Sequence, residues 1–205
     1  TIDKASGNLT YENTDFDINT GVMGLSLQRT YNSQSNKQGM FGNGWYDSFH
    51  KELYHSGDTV IFQDSDGSYL TFKKNGNTYT CEETKEYTLE EETKEQEKTY
   101  ELEYMTKVKE EQETVEKTVS YQWTLTDKNQ NVTRFDANGS MTAEEDSNGN
   151  FLLYDFDEKG LLSTVTTDKD QSLKIQYNDQ NLVAAMELPD ETKMKYTYDT
   201  AGNLT

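Results

Sequence analysis

The chain has 205 residues, a formal net charge of −19, 32% hydrophobic residues and 12% aromatics. That charge argues against nucleic acid and anionic membrane as partners, since both require basic patches, and the single cysteine, Cys81, excludes an intrachain disulfide. So polar a composition borders on disorder, but the aromatic content and a strict internal period point instead to a thin sheet with one wet face.

Residues 1–60 form an opening segment. Asn19-Thr20-Gly21 and Met23-Gly24 read as a turn. Leu25, Leu27, Arg29 and Tyr31 then alternate with polar residues, as a half-buried strand does. In Gly39-Met40-Phe41-Gly42-Asn43-Gly44-Trp45, glycines flank large side chains. Such spacing lets backbone pass close to bulky rings, so the stretch reads as a packing corner, with a ligand-stacking loop as the alternative. His50 and His55 flank Glu52, but no third and fourth ligand stands at workable spacing for a metal.

Residues 61–132 read as hairpins interrupted by an acidic insert at 82–118. Asp64-Ser65-Asp66-Gly67-Ser68 precedes Phe72-Lys73-Lys74-Asn75-Gly76, which reads as a degenerate copy of the repeat described below. Cys81 stands beside Glu82 and Glu83, which should raise its pKa and dull it. The insert holds 14 Glu and 6 Lys, and propensity favours helix. Pattern partly disagrees: Tyr100, Leu102, Tyr104, Thr106 and Val108 share one parity, as do Val115, Val119, Tyr121, Trp123 and Leu125. This predicts a charged hairpin over 98–126, turning near Glu110–Glu113, with helix left open for 84–98 and the charges on a solvated face.

Residues 133–205 carry a 21-residue period. Phe135, Phe156, Tyr177 and Tyr198 are each followed four positions later by Gly139, Gly160, Asn181 and Gly202. Asn is the ordinary residue that best tolerates a left-handed backbone, so the slot requires φ > 0. Each copy predicts a hairpin loop closed by such a residue, with Met141, Leu162, Val183 and Leu204 returning to the apolar face. A second turn series begins at Asp127, Asp146, Asp168 and Pro189. The four aromatics should occupy equivalent sites and stack as a ladder on one face. The predicted fold is therefore all-β, an antiparallel meander of hairpins within an extended curved sheet.

Several Asp-x-Asn/Asp-x-Asn/Ser loops share the first ligands of a calcium loop. They lack its Gly at position six and Glu at twelve, so turn chemistry is the better account. No nucleophile elbow, phosphate loop or dinucleotide fingerprint occurs. The expectation is a protein without catalytic residues, metal or cofactor. No apolar run reaches membrane-spanning length and no signal peptide opens the chain. The sequence begins and stops in mid-pattern, so it reads as a piece of a longer protein. Its charge predicts a monomer at low ionic strength, with a raw sheet edge along Met194–Tyr198.

Arg29-Thr30-Tyr31-Asn32-Ser33, followed by Phe41-Gly42-Asn43-Gly44-Trp45, resembles the opening domain of Rhs/YD-repeat proteins. Ala5-Ser6-Gly7-Asn8-Leu9-Thr10 ahead of Asp15-Phe16-Asp17-Ile18 fits the same segment, and Tyr196-Thr197-Tyr198-Asp199-Thr200-Ala201-Gly202-Asn203-Leu204-Thr205 is similar to the YD-repeat consensus. The family motif residues are thus Arg29, Tyr31, Asn32, Phe41, Gly42, Gly44 and Trp45; the acidic insert lies outside the pattern. The resemblance implies an extracellular or cell-wall-associated bacterial protein, similar to wall-associated proteins and polymorphic toxins, with teneurins as distant relatives. It implies a hollow shell of repeats around a C-terminal toxin domain, and as partners the remaining repeats and that domain. The alternative is a carbohydrate-binding or adhesion module, with Trp45 or Trp123 stacking on cell-wall glycan. The direction of those rings separates the two readings: buried favours scaffold, exposed along a groove favours glycan.

Overall fold

A computed structural model describes residues 1–18, 23–105 and 112–205. Every regular element described is a strand. The opening segment contributes β1 (Thr10–Ile18), β2 (Leu25–Asn32), β3 (Gln38–Gly39), β4 (Gly42–Asn43) and β5 (Trp45–Asp47). Four short strands follow, β6 (Glu52–Ser56), β7 (Thr59–Gln63), β8 (Tyr69–Asn75) and β9 (Thr78–Cys81). Two long strands, β10 (Tyr87–Met105) and β11 (Gln112–Asp127), form an arm. Then come β12 (Val132–Phe135), β13 (Met141–Glu145), β14 (Phe151–Phe156), β15 (Leu162–Thr167), β16 (Ser172–Tyr177), β17 (Val183–Glu187) and β18 (Lys193–Lys195). Strands β6 to β18 pair in chain order as one open antiparallel sheet of 13 strands; β1, β2 and β5 form a small second sheet, and β3 pairs with β4.

The loops explain the strict period. In each, an Asp or Asn carboxyl or amide oxygen accepts backbone N–H groups two and four residues on. Asp136 Oδ1 accepts from Asn138 and Ser140, Asp157 Oδ1 from Lys159 and Leu161, Asn178 Oδ1 from Gln180 and Leu182, and Asp199 Oδ1 from Ala201 and Asn203. The fourth loop residue is left-handed each time: φ is 84° at Gly139, 78° at Gly160, 60° at Asn181 and 86° at Gly202. Carboxylates occupied in this way are turn clasps. The second turn series works alike from Asp127 and Asp146. Its third member is shifted by one residue from the expectation: the loop starts at Thr167, whose Oγ1 accepts from Lys169 and Gln171. A hydroxyl thus replaces the carboxylate, and Asp170 takes the left-handed slot.

Other expectations are corrected. Phe72 is not a fifth copy: β8 runs three residues past it, and Asn75 pairs with Thr78 around a two-residue turn. Phe135, Phe156 and Tyr177 occupy equivalent sites, each beside a register shift in its hairpin and each packed in or against one core. They form no stacked ladder. Among the described residues no two of the four repeat aromatics are in ring contact, and Phe135 packs edge-on to Phe62 instead. Successive copies are two strands apart, roughly 9.5 Å, beyond direct stacking. The raw edge is shorter than expected: only Lys193–Lys195 is strand, while Tyr196 N–H donates to Ala184 and Tyr198 bridges to Leu204. The turn at 19–21 lies outside the described residues.

The acidic insert departs furthest. Residues 87–105 are strand, so 84–98 is not a helix. The hairpin is longer than 98–126, and Gln112 and Glu113 already belong to β11; the rest of the expected turn lies outside the described residues. Nor is the arm wholly solvated. The register breaks between Glu91 and Gln96, and beyond that break Tyr100, Leu102 and Val119 pack on Ala143, Phe151 and Leu153, on the back of the repeat sheet. The front face of the sheet carries the main core, with Leu152, Tyr154, Leu162 and Val165 under Leu25, Leu27, Phe41 and Phe49 of the opening segment. Around β14 the sheet is therefore covered on both sides, and the first four residues of this strand are buried without alternation.

Candidate functional site

The residues of the Arg29–Trp45 stretch converge where the opening segment docks on the repeats. Arg29, on β2, donates from Nε to Asp15 Oδ2 at 2.6 Å; the two side chains are 11% and 2% exposed. Its guanidinium carbon lies 4.6 Å from the Trp45 ring centroid, 5.2 Å from Phe41 and 5.6 Å from Tyr196. Arg29 Nη1 is buried and finds no hydrogen-bond acceptor among the described residues, so ring faces are its surroundings. Tyr196 donates its hydroxyl to the same Asp15 oxygen at 2.6 Å. Burial first, then this bond to a carboxylate, pushes the Tyr196 hydroxyl pKa well up. It stays a neutral donor. Asp15 is thus shared between the opening segment and the repeat region.

Main-chain contacts extend the joint. Asn43 N–H donates to Gly202 O at 3.0 Å, and Val183 N–H to Met40 O at 2.8 Å. Asn43 Nδ2 donates to Ala201 O and Asn203 Oδ1. Gly42 has φ +92°, and a Cβ there would overlap the Gly202 carbonyl. Gly44 sits against the Tyr31 ring and the Asn32 carbonyl, and Asn32 N–H donates to Gly44 O. These glycines are required because backbone meets backbone. Gly139 plays the same part at the other edge, where Leu53 N–H donates to its carbonyl at 2.9 Å. Tyr177 donates its hydroxyl to Leu162 O at 2.7 Å, and Tyr198 lies with its hydroxyl 3.5 Å from Met40 O. Gly160 and Asn181 flank the joint on successive loops, beside a cavity of about 360 Å³.

The motif therefore reads as a packing corner, and its rings are engaged. Trp45 packs on Tyr31 and edge-on to Tyr11, and Trp123 is buried against Tyr79. The two histidines do not meet as ligands. His50 Nδ1 lies 2.9 Å from Asp47 Oδ1, whereas His55 Nε2 lies 2.7 Å from Gly57 O. Among the described residues no group of three or more His, Cys, Asp or Glu side chains is placed to hold a metal. Cys81 is buried and donates to Glu83 Oε2 at 2.9 Å. Burial chiefly, then Glu83, raises its pKa; Glu82 pairs instead with Lys73.

Sequence reasoning passed over Asp15, Asp47, Phe49 and Tyr196 as members of this joint. Asp15 and Tyr196 stand 181 positions apart, and no local spacing links them. The signal that could have found Asp15 is the shortage of arginines: a half-buried Arg29 in a strand needs a carboxylate. The family model that matches, over residues 1–72, is described as a domain of unknown function, DUF6531. It covers the opening segment and the first hairpin, including every motif residue from Arg29 to Trp45. No curated protein matches the chain.

Proposed function

We propose that this chain is a non-catalytic structural segment of a large secreted or surface protein of the Rhs/YD-repeat type. In this reading the opening segment clamps the first repeats, and the sheet continues into a shell around a C-terminal toxin domain of the same chain. The supporting observation is the direction of the rings: Trp123 and Phe135 are buried, and Phe41, Trp45 and Tyr196 are taken up by the Arg29 node. Side chains used to join two parts of a fold are not free for substrate. The loop carboxylates are likewise occupied by backbone N–H groups, which supports a role without metal or cofactor.

A carbohydrate-binding or adhesion role would draw on the rings that are exposed among the described residues, Tyr11, Tyr54 and Tyr69. Of these, Tyr54 on β6 and Tyr69 on β8 flank β7 near the β6 edge. The deciding experiment uses the longer chain with its following repeats and C-terminal domain. That domain should resist protease in the wild type and lose protection in Gly42→Ala. Equal cleavage in both defeats the shell reading. Binding of a cell-wall glycan that is lost in a Tyr54→Ala/Tyr69→Ala variant would replace it with the adhesion reading.

A further inference from the structure

We propose that Asp47 and His50 form a pH-sensitive latch that holds the opening segment on the repeat sheet and loosens as pH rises. The pair sits at the head of the joint. Asp47 ends β5, and its side chain is 2% exposed. One of its oxygens accepts the Phe49 N–H at 3.0 Å, which closes a tight turn. That turn drives Phe49 into the core, 6.5 Å from Phe16 of the opening segment and 6.1 Å from Tyr154 of the repeat sheet. Phe49 is thus a ring that bridges the two layers, as Phe41 does against Tyr196. Its position depends on a buried carboxylate, and a buried charge must be paired.

His50 supplies the pairing, with Nδ1 2.9 and 3.2 Å from the two Asp47 oxygens. Its ring is 23% exposed and lines the cavity of about 360 Å³, so protons reach it from solvent. The other charged groups facing the pair come from several elements. From the opening segment come Arg29, opposite Asp47 on β2 and itself paired with Asp15, and Lys37 and Glu52, themselves paired at 3.1 Å. From the repeat side come the Tyr154 and Tyr177 hydroxyls, both with pKa values raised, first by burial and then by Asp47 or Glu144. Neither can replace the imidazolium charge. Burial by itself would push the His50 pKa down, but Asp47, with Glu52 adding and Lys37 opposing, carries it above the ordinary 6.5. A group whose folded pKa is raised stabilises most below its unfolded pKa, and that contribution is lost as pH rises through the folded value. The latch is therefore closed in mild acid. It begins to loosen above about pH 6.5 and is fully loosened once pH has passed the raised folded value, where His50 gives up its proton and Asp47 loses its imidazolium partner.

This inference deepens the clamp reading, since it requires the opening segment to dock as a unit, and it is tested separately from it. The chain has two histidines, so each imidazole can be followed by NMR in the wild type. His50 should titrate above 6.5. Amide protection at Phe49, and at the joint amides of Asn43 and Val183, should fall between about pH 6.5 and the measured His50 value and level off above it, once intrinsic exchange is corrected. The loss should approach tenfold for each unit by which His50 exceeds 6.5. In His50→Gln the step should vanish between about pH 6 and about pH 9. The latch is overturned if His50 titrates at or below 6.5, if the step persists in His50→Gln, or if it is confined to Phe49. Should the variant not fold, the wild-type titration alone decides. Loss of the latch with shell protection intact would leave the clamp standing.

Discussion

The two faces of the repeat sheet are covered by very different lids. On the front, the opening segment lays down Leu25, Leu27, Phe41 and Phe49 as part of one large core. Its polar contacts run from the buried Asp15–Arg29–Tyr196 node to the exposed bonds of Asn43 with the Ala201–Asn203 loop and the Lys51–Glu144 pair. On the back, the arm contributes Tyr100, Leu102 and Val119 to a core cluster of six residues and a rim of ions. Lys98 lies 2.6 Å and Arg134 3.3 Å from Glu145 Oε1, Tyr100 donates to the same carboxylate, and Lys117 pairs with Asp155. Thr142 Oγ1 donates to Ser120 O, and Glu103 N–H to Asp168 O, along the arm. The comparison shows that a Glu- and Lys-rich strand pair can still be a lid. Alternate residues face inward, so a minority of apolar side chains is enough to cover one side of a sheet.

The sharpest way to break the comparison is at the front. Gly42→Ala would place a Cβ against the Gly202 carbonyl in a left-handed residue. Neither backbone can yield without opening the joint, so a loss of about 3 kcal/mol is expected in urea unfolding. A loss near zero would show that the opening segment is not docked as described. Leu102→Ala tests the back lid. The residue is 1% exposed in a small cluster, so the cost should lie near the low end for buried leucine, about 2 kcal/mol. If the arm were only a solvated hairpin, the change would be within about 0.5 kcal/mol.

A smaller effect sharpens the contrast through pH. The Glu145 pKa is lowered: burial acts against this, but the hydrogen bonds from Lys98, Tyr100 and Arg134 more than offset it. Its contribution is complete above the ordinary 4.5 and is lost as pH falls through the lowered folded value. The back lid should therefore loosen in acid, whereas the front latch loosens in base. Amide exchange on β10 should rise below about pH 4.5 in the wild type and show no such step in Glu145→Gln. The smallest effect is on the arm's outer surface, where Glu101 stands directly across from Glu116. Like charges so placed repel. Glu116→Lys should stabilise by a few tenths of a kcal/mol at low salt and lose that gain as salt is added; a destabilisation would mean the outer face has a cationic contact.

The sequence by itself determined the all-β class and, in the repeats, the hairpin loops closed by left-handed Gly139, Gly160, Asn181 and Gly202. These are set by neighbours within five positions: an Asp or Asn oxygen clasping two N–H groups, then Gly or Asn where φ must be positive. It also placed Phe41, Gly42, Gly44 and Trp45 in a packing corner, because glycines between rings have few other uses. What it could not determine was which surfaces meet. Asp15 with Tyr196, Gly42 with Gly202 and Leu102 with the back of β14 are pairings across long stretches of chain. The shift of the third second-series loop to Thr167 followed from sheet register, which fixes the loop start whichever side chain stands there. The fate of the arm was decided the same way. Helix propensity and charge describe a segment in water, but the apolar strip of Ala143, Phe151 and Leu153, which the arm buries, gave one face of that segment somewhere to go. Burial of that strip outweighs the local preference, and only the tertiary fold brings the two together.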